Sequence, residues 1–250
     1  MAMIRRQLSS LLRALPWPLF MTSALIAALF VAWQALIAVD YLYPVWYEAI
    51  DVDKTIAQYG PQNRQGKLSF ETTTKNERVS LFAALADAVH DRGQGLEALV
   101  YHDSSGRPID TLLTAPEIVH LQDVARLFDW LRMFGWVALG ALIVLLGWLR
   151  WRRQALPSLR KLLLGTVSGI AVIGVVIVAL GPVKVFYQLH EWIFPPGHQW
   201  FFFYQDSLMS MMMKAPVLFG PIALTWALLS LLLIAVLLIV AKSLLLVRSP

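Results

Sequence analysis

Four runs free of charge punctuate the chain: Trp17 to Val39, Met133 to Leu149, Leu162 to Val183 and Ala215 to Ala241 contain no Asp, Glu, Lys or Arg. About 20 helical residues cross a bilayer core of about 30 Å, so each run predicts one membrane-spanning helix. Met133 to Leu149 is the shortest, but the amphipathic residues before it, Val124 to Leu131, predict that its helix starts earlier. Gly140, Gly165, Gly169 and Gly174 lie inside the runs and read as places where helices pack closely. The first run exceeds the roughly 7 to 15 apolar residues of a secretion signal, and no A-x-A site follows it. It is therefore expected to remain as a span.

Between the first two runs the patterns are shorter. Pro44 to Tyr59 has Val45, Ile50 and Ile56 at helical spacing and ends at Gly60, which predicts a helix with a glycine stop. Lys67 to Thr73 (KLSFETT) alternates like a strand. Asn76 to Asp91 places Val79, Phe82, Leu85, Ala86 and Val89 on one helical face. Leu96 to Tyr101 and Ile109 to Leu113 flank DSSGRP, a turn-rich run that predicts a hairpin. Thr114-Ala115-Pro116-Glu117 fits a capping box, so the helix of the second span is expected to begin from about residue 116.

Composition agrees with four spans: the 250 residues are 58% hydrophobic and only 15% charged, with a mean hydropathy of +0.62. Such a chain is an integral membrane protein. The net charge of +5 does not point to nucleic acid, because the basic residues gather beside the apolar runs. Arg5, Arg6, Arg13, Arg150, Arg152, Arg153, Arg160, Lys161, Lys242 and Arg248 stand in segments that hold no acid. All 16 Asp and Glu lie in 40–129 or between Lys184 and Lys214. The positive-inside rule then gives a cytoplasmic segment over 1–16, a cytoplasmic loop over 150–161 and a cytoplasmic tail over 242–250. The loops over 40–132 and 184–214 face outward, joined by spans over 17–39, 133–149, 162–183 and 215–241. The expected fold class is mainly α: four transmembrane helices with a small mixed α/β extracytoplasmic domain in the first outer loop. Without cysteine the chain has no disulfide, thiolate or zinc-thiolate chemistry.

Candidate chemistry concentrates in two places. Glu117, His120 and Asp123 recur every three residues and share one helical face. Val185 to Pro216 holds His190, His198, Trp192, Trp200, Glu191 and Asp206 among many phenylalanines and tyrosines, the composition of a membrane-water interface. At 1.5 Å per helical residue His120 lies roughly 20 Å before Met133, and His190 roughly 10 Å past Val183 if that helix continues. Both are expected on the outer side, where a near-neutral imidazole can take or give a proton. Glu117 reads first as a cap, Asp123 as an orienting or solvated neighbour, Trp200 as an anchor, and Asp206 as a cap before the fourth span. His90 and His102 read as solvated, and the Met211 to Met213 triplet as adaptable apolar filler. By ligand type His120, His190 and His198 with Glu117 or Asp123 would suit zinc, but no H-E-x-x-H or close histidine pair is present. No G-x-S-x-G marks Ser207 or Ser210 as a nucleophile, and no phosphate-binding glycine loop occurs.

EIVHLQDV (Glu117 to Val124) and the stretch from Phe186 to Pro216, beginning FYQLHEWIFPPGHQWFF, together resemble the two signature stretches of the lipoprotein intramolecular transacylase family. These are bacterial membrane proteins with a Glu-x-x-His-x-x-Asp helix entering the second span and an aromatic-His-x-x-x-Phe-x-x-Gly-x-x-Trp outer loop before the fourth. His198 stands where that pattern would put a small polar residue. The resemblance implies a multi-pass protein of the cytoplasmic membrane with both termini inside, acting on the outer side. Its implied reaction moves the sn-2 acyl chain of a diacylglyceryl-modified amino-terminal cysteine onto that cysteine's α-amino group. The implied partners are the diacylated lipoprotein and membrane lipids, with no cofactor and no metal. His190 and His120 are then the expected general base and acid, in either order, with Asp123 orienting His120 and with Glu117, Trp200 and Asp206 supporting. Two other readings stay open: a metal-dependent membrane lipid hydrolase using the same histidines, and a non-catalytic envelope assembly or sensing protein whose first loop binds a partner.

Overall fold

The structure is a computed structural model that describes residues 16–246. Arg5, Arg6, Arg13 and Arg248 lie outside the described residues. Among the described residues, four helices are long and apolar enough to cross a membrane. They are α1 (Pro16–Ile37), α5 (Ala115–Trp151), α6 (Leu159–Leu180) and α9 (Phe219–Leu245). The shorter helices are α2 (Tyr43–Ala49), α3 (Val52–Tyr59), α4 (Lys75–His90), α7 (Pro182–Ile193) and α8 (Leu208–Met212). The described strands, β1 (Val100–His102) and β2 (Pro108–Thr111), form one antiparallel hairpin with Val100 opposite Thr111. The chain divides into two compact units, one containing Leu131–Val175 with flanking parts of the first and last spans, the other Leu36–Trp130 with Val176–Thr225.

The first unit packs Phe20, Ala24 and Ala28 of α1 with Leu142 and Leu149 of α5 and Ile234 and Leu238 of α9. Its close approach is at Gly135, where an added Cβ would come within 2.3 Å of the Phe30 ring. The four glycines expected at tight contacts, Gly140, Gly165, Gly169 and Gly174, have nothing within 4 Å of such a Cβ. The reason is visible for three of them: α6 buries no residue, so its glycines face open space.

The second unit holds a compact core from Tyr43, Tyr47, Ile56, Phe70, Phe82, Leu85, Tyr101, Leu121 and the buried Met209, Met211, Met212 and Met213. The methionine triplet is thus core rather than interfacial filler. The single helix expected over Pro44 to Tyr59 is two, because Asp51 turns left-handed at φ 54° between them. KLSFETT is not a strand. Ser69 has φ 63°, and the hydroxyls of Thr72 and Thr73 donate to the carbonyls of Ser69 and Phe70, closing a tight turn in place of a ladder. Helix α4 starts where Thr74 accepts from the Glu77 amide at 3.1 Å.

One buried cation ties this unit together. The Arg78 guanidinium, 5% exposed, donates to the Thr73 and Tyr47 hydroxyls, to Asp53 Oδ1 at 2.6 Å, and to the carbonyls of Glu71 and Thr73. All its donors find partners, the condition for burying a charge. His90, expected to be solvated, stacks on Phe128 with ring centroids 5.0 Å apart and bonds to the Tyr41 hydroxyl.

The third apolar run does not continue as one helix to Val183. It ends at Leu180, Gly181 takes φ 89°, and α7 begins at Pro182. Proline has no amide to extend a helix and suits a first turn, so Gly181-Pro182 stops one helix and starts the next.

Candidate active site

The first turns of α5 carry one half of the site. Glu117, fully buried, accepts from the Thr114 amide at 2.6 Å and the Thr114 hydroxyl at 2.7 Å through one oxygen, and from the Ser207 hydroxyl through the other. Ser207 is also the N-cap of α8, accepting from the Ser210 amide at 2.8 Å. The start of α5 is therefore bonded to the start of α8. Glu117 acts as the cap its spacing predicts, with all its oxygens engaged. His120, 8% exposed, and Asp123, 6% exposed, follow on the same face.

Helix α7 carries the other half. His190 donates from Nδ1 to the Phe186 carbonyl, and its ring centroid lies 6.0 Å from that of His120. Residues 70 apart in the sequence thus bring two imidazoles side by side. Rings surround them: Phe186 lies 4.0 Å and Trp200 5.1 Å from His190, Phe202 lies 6.1 Å from His120, and Phe194 lies 4.8 Å from His120 and 5.1 Å from His190. His120 Nδ1 is buried with no hydrogen-bond partner among the described residues. Burial pushes the His190 pKa below its ordinary 6.5, with the Phe186 carbonyl bond acting in the opposite direction. The ring is therefore mostly neutral at pH 7.

The chain after α7 is shaped by its sequence. Phe194 is extended, as a residue before proline should be. Proline at the second position and Gly197 at the third, with φ 88°, close a type II turn in which the His198 amide donates to the Pro195 carbonyl at 3.2 Å. That turn brings His198 back to α5, where its Nδ1 donates to Asp123 Oδ2 at 2.5 Å. Asp123 accepts from Arg126 on its other oxygen. The hydrogen bonds of Asp123 among the described residues therefore go to His198 and Arg126, not to His120, the neighbour it was expected to orient.

Asp206 is not a cap. It pairs with Arg64, whose Nε donates at 2.8 Å, and the capping position belongs to Ser207. His102 bonds to Glu77 at 2.9 Å. Sequence reasoning left out Phe186, Phe194 and Phe202 as individual walls of the site, and left open what His198 touches. The Pro-Pro-Gly turn was the available sign that the loop doubles back. Among the described residues no three His, Asp or Glu side chains gather as a metal site would require. Two neutral imidazoles among aromatic rings, with the nearby serine hydroxyl committed to Glu117, suit proton transfer around a bound apolar substrate.

No curated protein and no solved structure matches the chain. A family model described as Lipoprotein intramolecular transacylase Lit matches residues 18–215, which include all of α1 after its first two residues, the first signature stretch, both histidines and nearly all of the aromatic stretch. The chain belongs to the Lit family of lipoprotein intramolecular transacylases, multi-pass membrane enzymes that shift an acyl group within a lipoprotein.

Proposed function

We propose that this enzyme moves the sn-2 acyl chain of a diacylglyceryl-cysteine to the cysteine's α-amino group, with His190 as base and His120 as acid. The reading rests on one observation above the others, the 6.0 Å separation of the two rings, close enough to grip one reacting carbonyl from two sides. The substrate arrives as an ammonium with a pKa of about 7.7 to 8.0. Transfer of its proton to a ring whose pKa burial holds below 6.5 is uphill, but by little beside a chemical barrier.

The freed amine attacks the sn-2 ester carbonyl; the N–C bond forms, the C–O bond breaks, and the attacking nitrogen's surplus proton passes to the departing glyceryl oxygen by way of the His120 ring, which takes it on Nε2 as Nδ1 gives up its own. His120 Nδ1, buried and unpartnered, donates to the developing oxyanion or to that departing oxygen. No protein nucleophile is needed, because amine and ester belong to one molecule. Their approach closes a medium-sized ring, so the enzyme's main task is to hold the folded conformer. Phe186, Phe194, Trp200 and Phe202 supply the apolar wall against which it is held. The distribution of basic residues supports both termini in the cytoplasm and the site at the outer surface of a bacterial cytoplasmic membrane.

Mass spectrometry of a lipoprotein amino-terminal peptide, co-expressed with the chain, tests the reading. Wild type is expected to give the lyso form with an N-acyl group; His190→Ala and His120→Ala are expected to leave the diacylglyceryl form. Lyso product from both variants would defeat the assignment.

A further inference from the structure

The segment from Pro195 to Gln199 is exposed, yet it carries Trp200 at its end and follows Phe194 at its start, and both of those rings lie against His190. At the segment's beginning the Phe194 amide donates to the His190 carbonyl at 3.0 Å, which continues α7 by one bond. Beyond that, its side-chain hydrogen bonds among the described residues are Gln199 to the nearby Phe201 carbonyl and His198 to Asp123, 75 positions away. The one long-range side-chain hydrogen bond of residues 195–199 among the described residues is therefore made to the helix face that bears His120.

Asp123 is suited to be its anchor. Its side chain is 5% exposed, so the carboxylate is shielded from water and depends on protein donors, and it sits three residues from His120 on a continuous helix. His198 is 39% exposed, and by exposure alone the pair would pass for a surface contact of little consequence. Its placement argues otherwise, because the bond spans from the α5 face to the loop that lays Trp200 and Phe194 on the imidazoles.

We infer that His198 is a positioning residue for acyl transfer, bonding to Asp123 so that the loop from Phe194 to Trp200 is fixed across His120 and His190. It touches no reacting atom. Its part is to fix the aromatic wall against which the folded substrate conformer is pressed, and it rests on the proposed roles of the two histidines. Misplacement of a catalytic geometry by about 1 Å costs on the order of a hundredfold in rate, so losing the tether should act on turnover more than on binding.

Purified full-length protein and a synthetic diacylglyceryl-cysteine lipopeptide in detergent micelles provide the test. His198→Ala is expected to lower kcat by about tenfold to a hundredfold with a much smaller change in KM. His198→Gln, which keeps a side-chain donor for Asp123 but cannot exchange protons, is expected to recover most of the loss. Asp123→Ala together with His198→Ala should be little worse than Asp123→Ala alone, because either change removes the same bond. Wild-type turnover by His198→Ala would overturn the inference, as would an inert His198→Gln, which would make His198 a proton carrier. His120→Ala and His190→Ala run alongside separate the two readings. If those are inactive while His198→Ala is unimpaired, the tether alone is wrong; if they are active, the roles assigned to the histidines fail.

Discussion

His190 donates its Nδ1 proton to the carbonyl of Phe186, one turn back on the same helix, at 2.8 Å. The bond selects a tautomer: with Nδ1 protonated, the lone pair of the neutral ring is on Nε2. Burial lowers the ring's pKa below 6.5, so the form able to accept a proton is present at neutral pH and lost as pH falls through that lower value. Turnover is therefore expected to be flat near neutrality and to fall in acid with a midpoint below 6.5. A kcat–pH profile on the synthetic lipopeptide checks this, and an acid midpoint above 6.5 would contradict it.

Glu117 is expected to matter for stability rather than for proton transfer. Glu117→Ala leaves the buried hydroxyl of Ser207 and that of Thr114 without their acceptor, a loss of about 2 to 4 kcal/mol. Ser207→Ala removes one donor to Glu117 and the cap that accepts from the Ser210 amide, and should cost about 2 kcal/mol, with turnover per folded molecule unchanged. Thermal unfolding in detergent, read beside activity normalised to folded protein, distinguishes the two residues' parts. An inactive but fully stable Ser207→Ala would mean that the hydroxyl takes part in the chemistry.

Gly135→Ala is expected to destabilise by about 1 to 3 kcal/mol, since its Cβ would press into the Phe30 ring. Gly169→Ala should be neutral or slightly stabilising, because its Cβ meets nothing and alanine favours helix. Unfolding temperatures of the two variants decide the matter. Adding Phe30→Ala to Gly135→Ala should recover part of the loss.

Arg78→Met is expected to cost about 2 to 4 kcal/mol, because the Thr73 carbonyl and the Thr73 and Tyr47 hydroxyls lose a buried donor, while the exposed side of Asp53 can turn to water. Arg78→Lys should recover little, since an ammonium cannot reproduce the forked contacts to Tyr47, Asp53 and the carbonyls of Glu71 and Thr73. Limited proteolysis between α2 and β2 would report the loosening. Cleavage no faster than in wild type would show that Arg78 is dispensable.

Elements set by local chemistry could be read in advance. The four uncharged runs became the four long helices, and Thr114 with Glu117 marked where α5 begins. The helix over 75–90 and the hairpin were legible for the same reason: one face of apolar residues in the first, a turn-forming DSSGRP in the second. KLSFETT misled because its alternation is coincidental: Phe70 is buried in the core and Lys67 is buried by reaching the Thr111 carbonyl, while the hydroxyls bend the chain. The end of the third helix was written in Gly181-Pro182 but masked by apolar residues on both sides.

What remained hidden was tertiary. His90 reads as a helix-end residue until Phe128 stacks on it. Gly135 and Gly140 look alike in sequence, and only the position of Phe30 separates a tight contact from open space. Within the site, the pairing of His120 with His190 was expected from two motifs, whereas Asp123 with His198 had no local signal beyond the turn that made it possible. A carboxylate three residues from a histidine on a helix invites the nearer partner, but here it bonds the more distant one.

Helix α5 is an unbroken rod of 37 residues, about 55 Å long at 1.5 Å per residue, against about 30 Å of hydrocarbon. His120 is in its second turn, roughly 20 Å from the start of its uncharged stretch. In the proposed acyl transfer, every methylene of the acyl chain drawn into water would cost about 0.8 kcal/mol. On that reading the phenylalanines and Trp200 around the histidines would serve as a substitute leaflet, covering part of the tail so that its exposure does not consume the catalytic advantage.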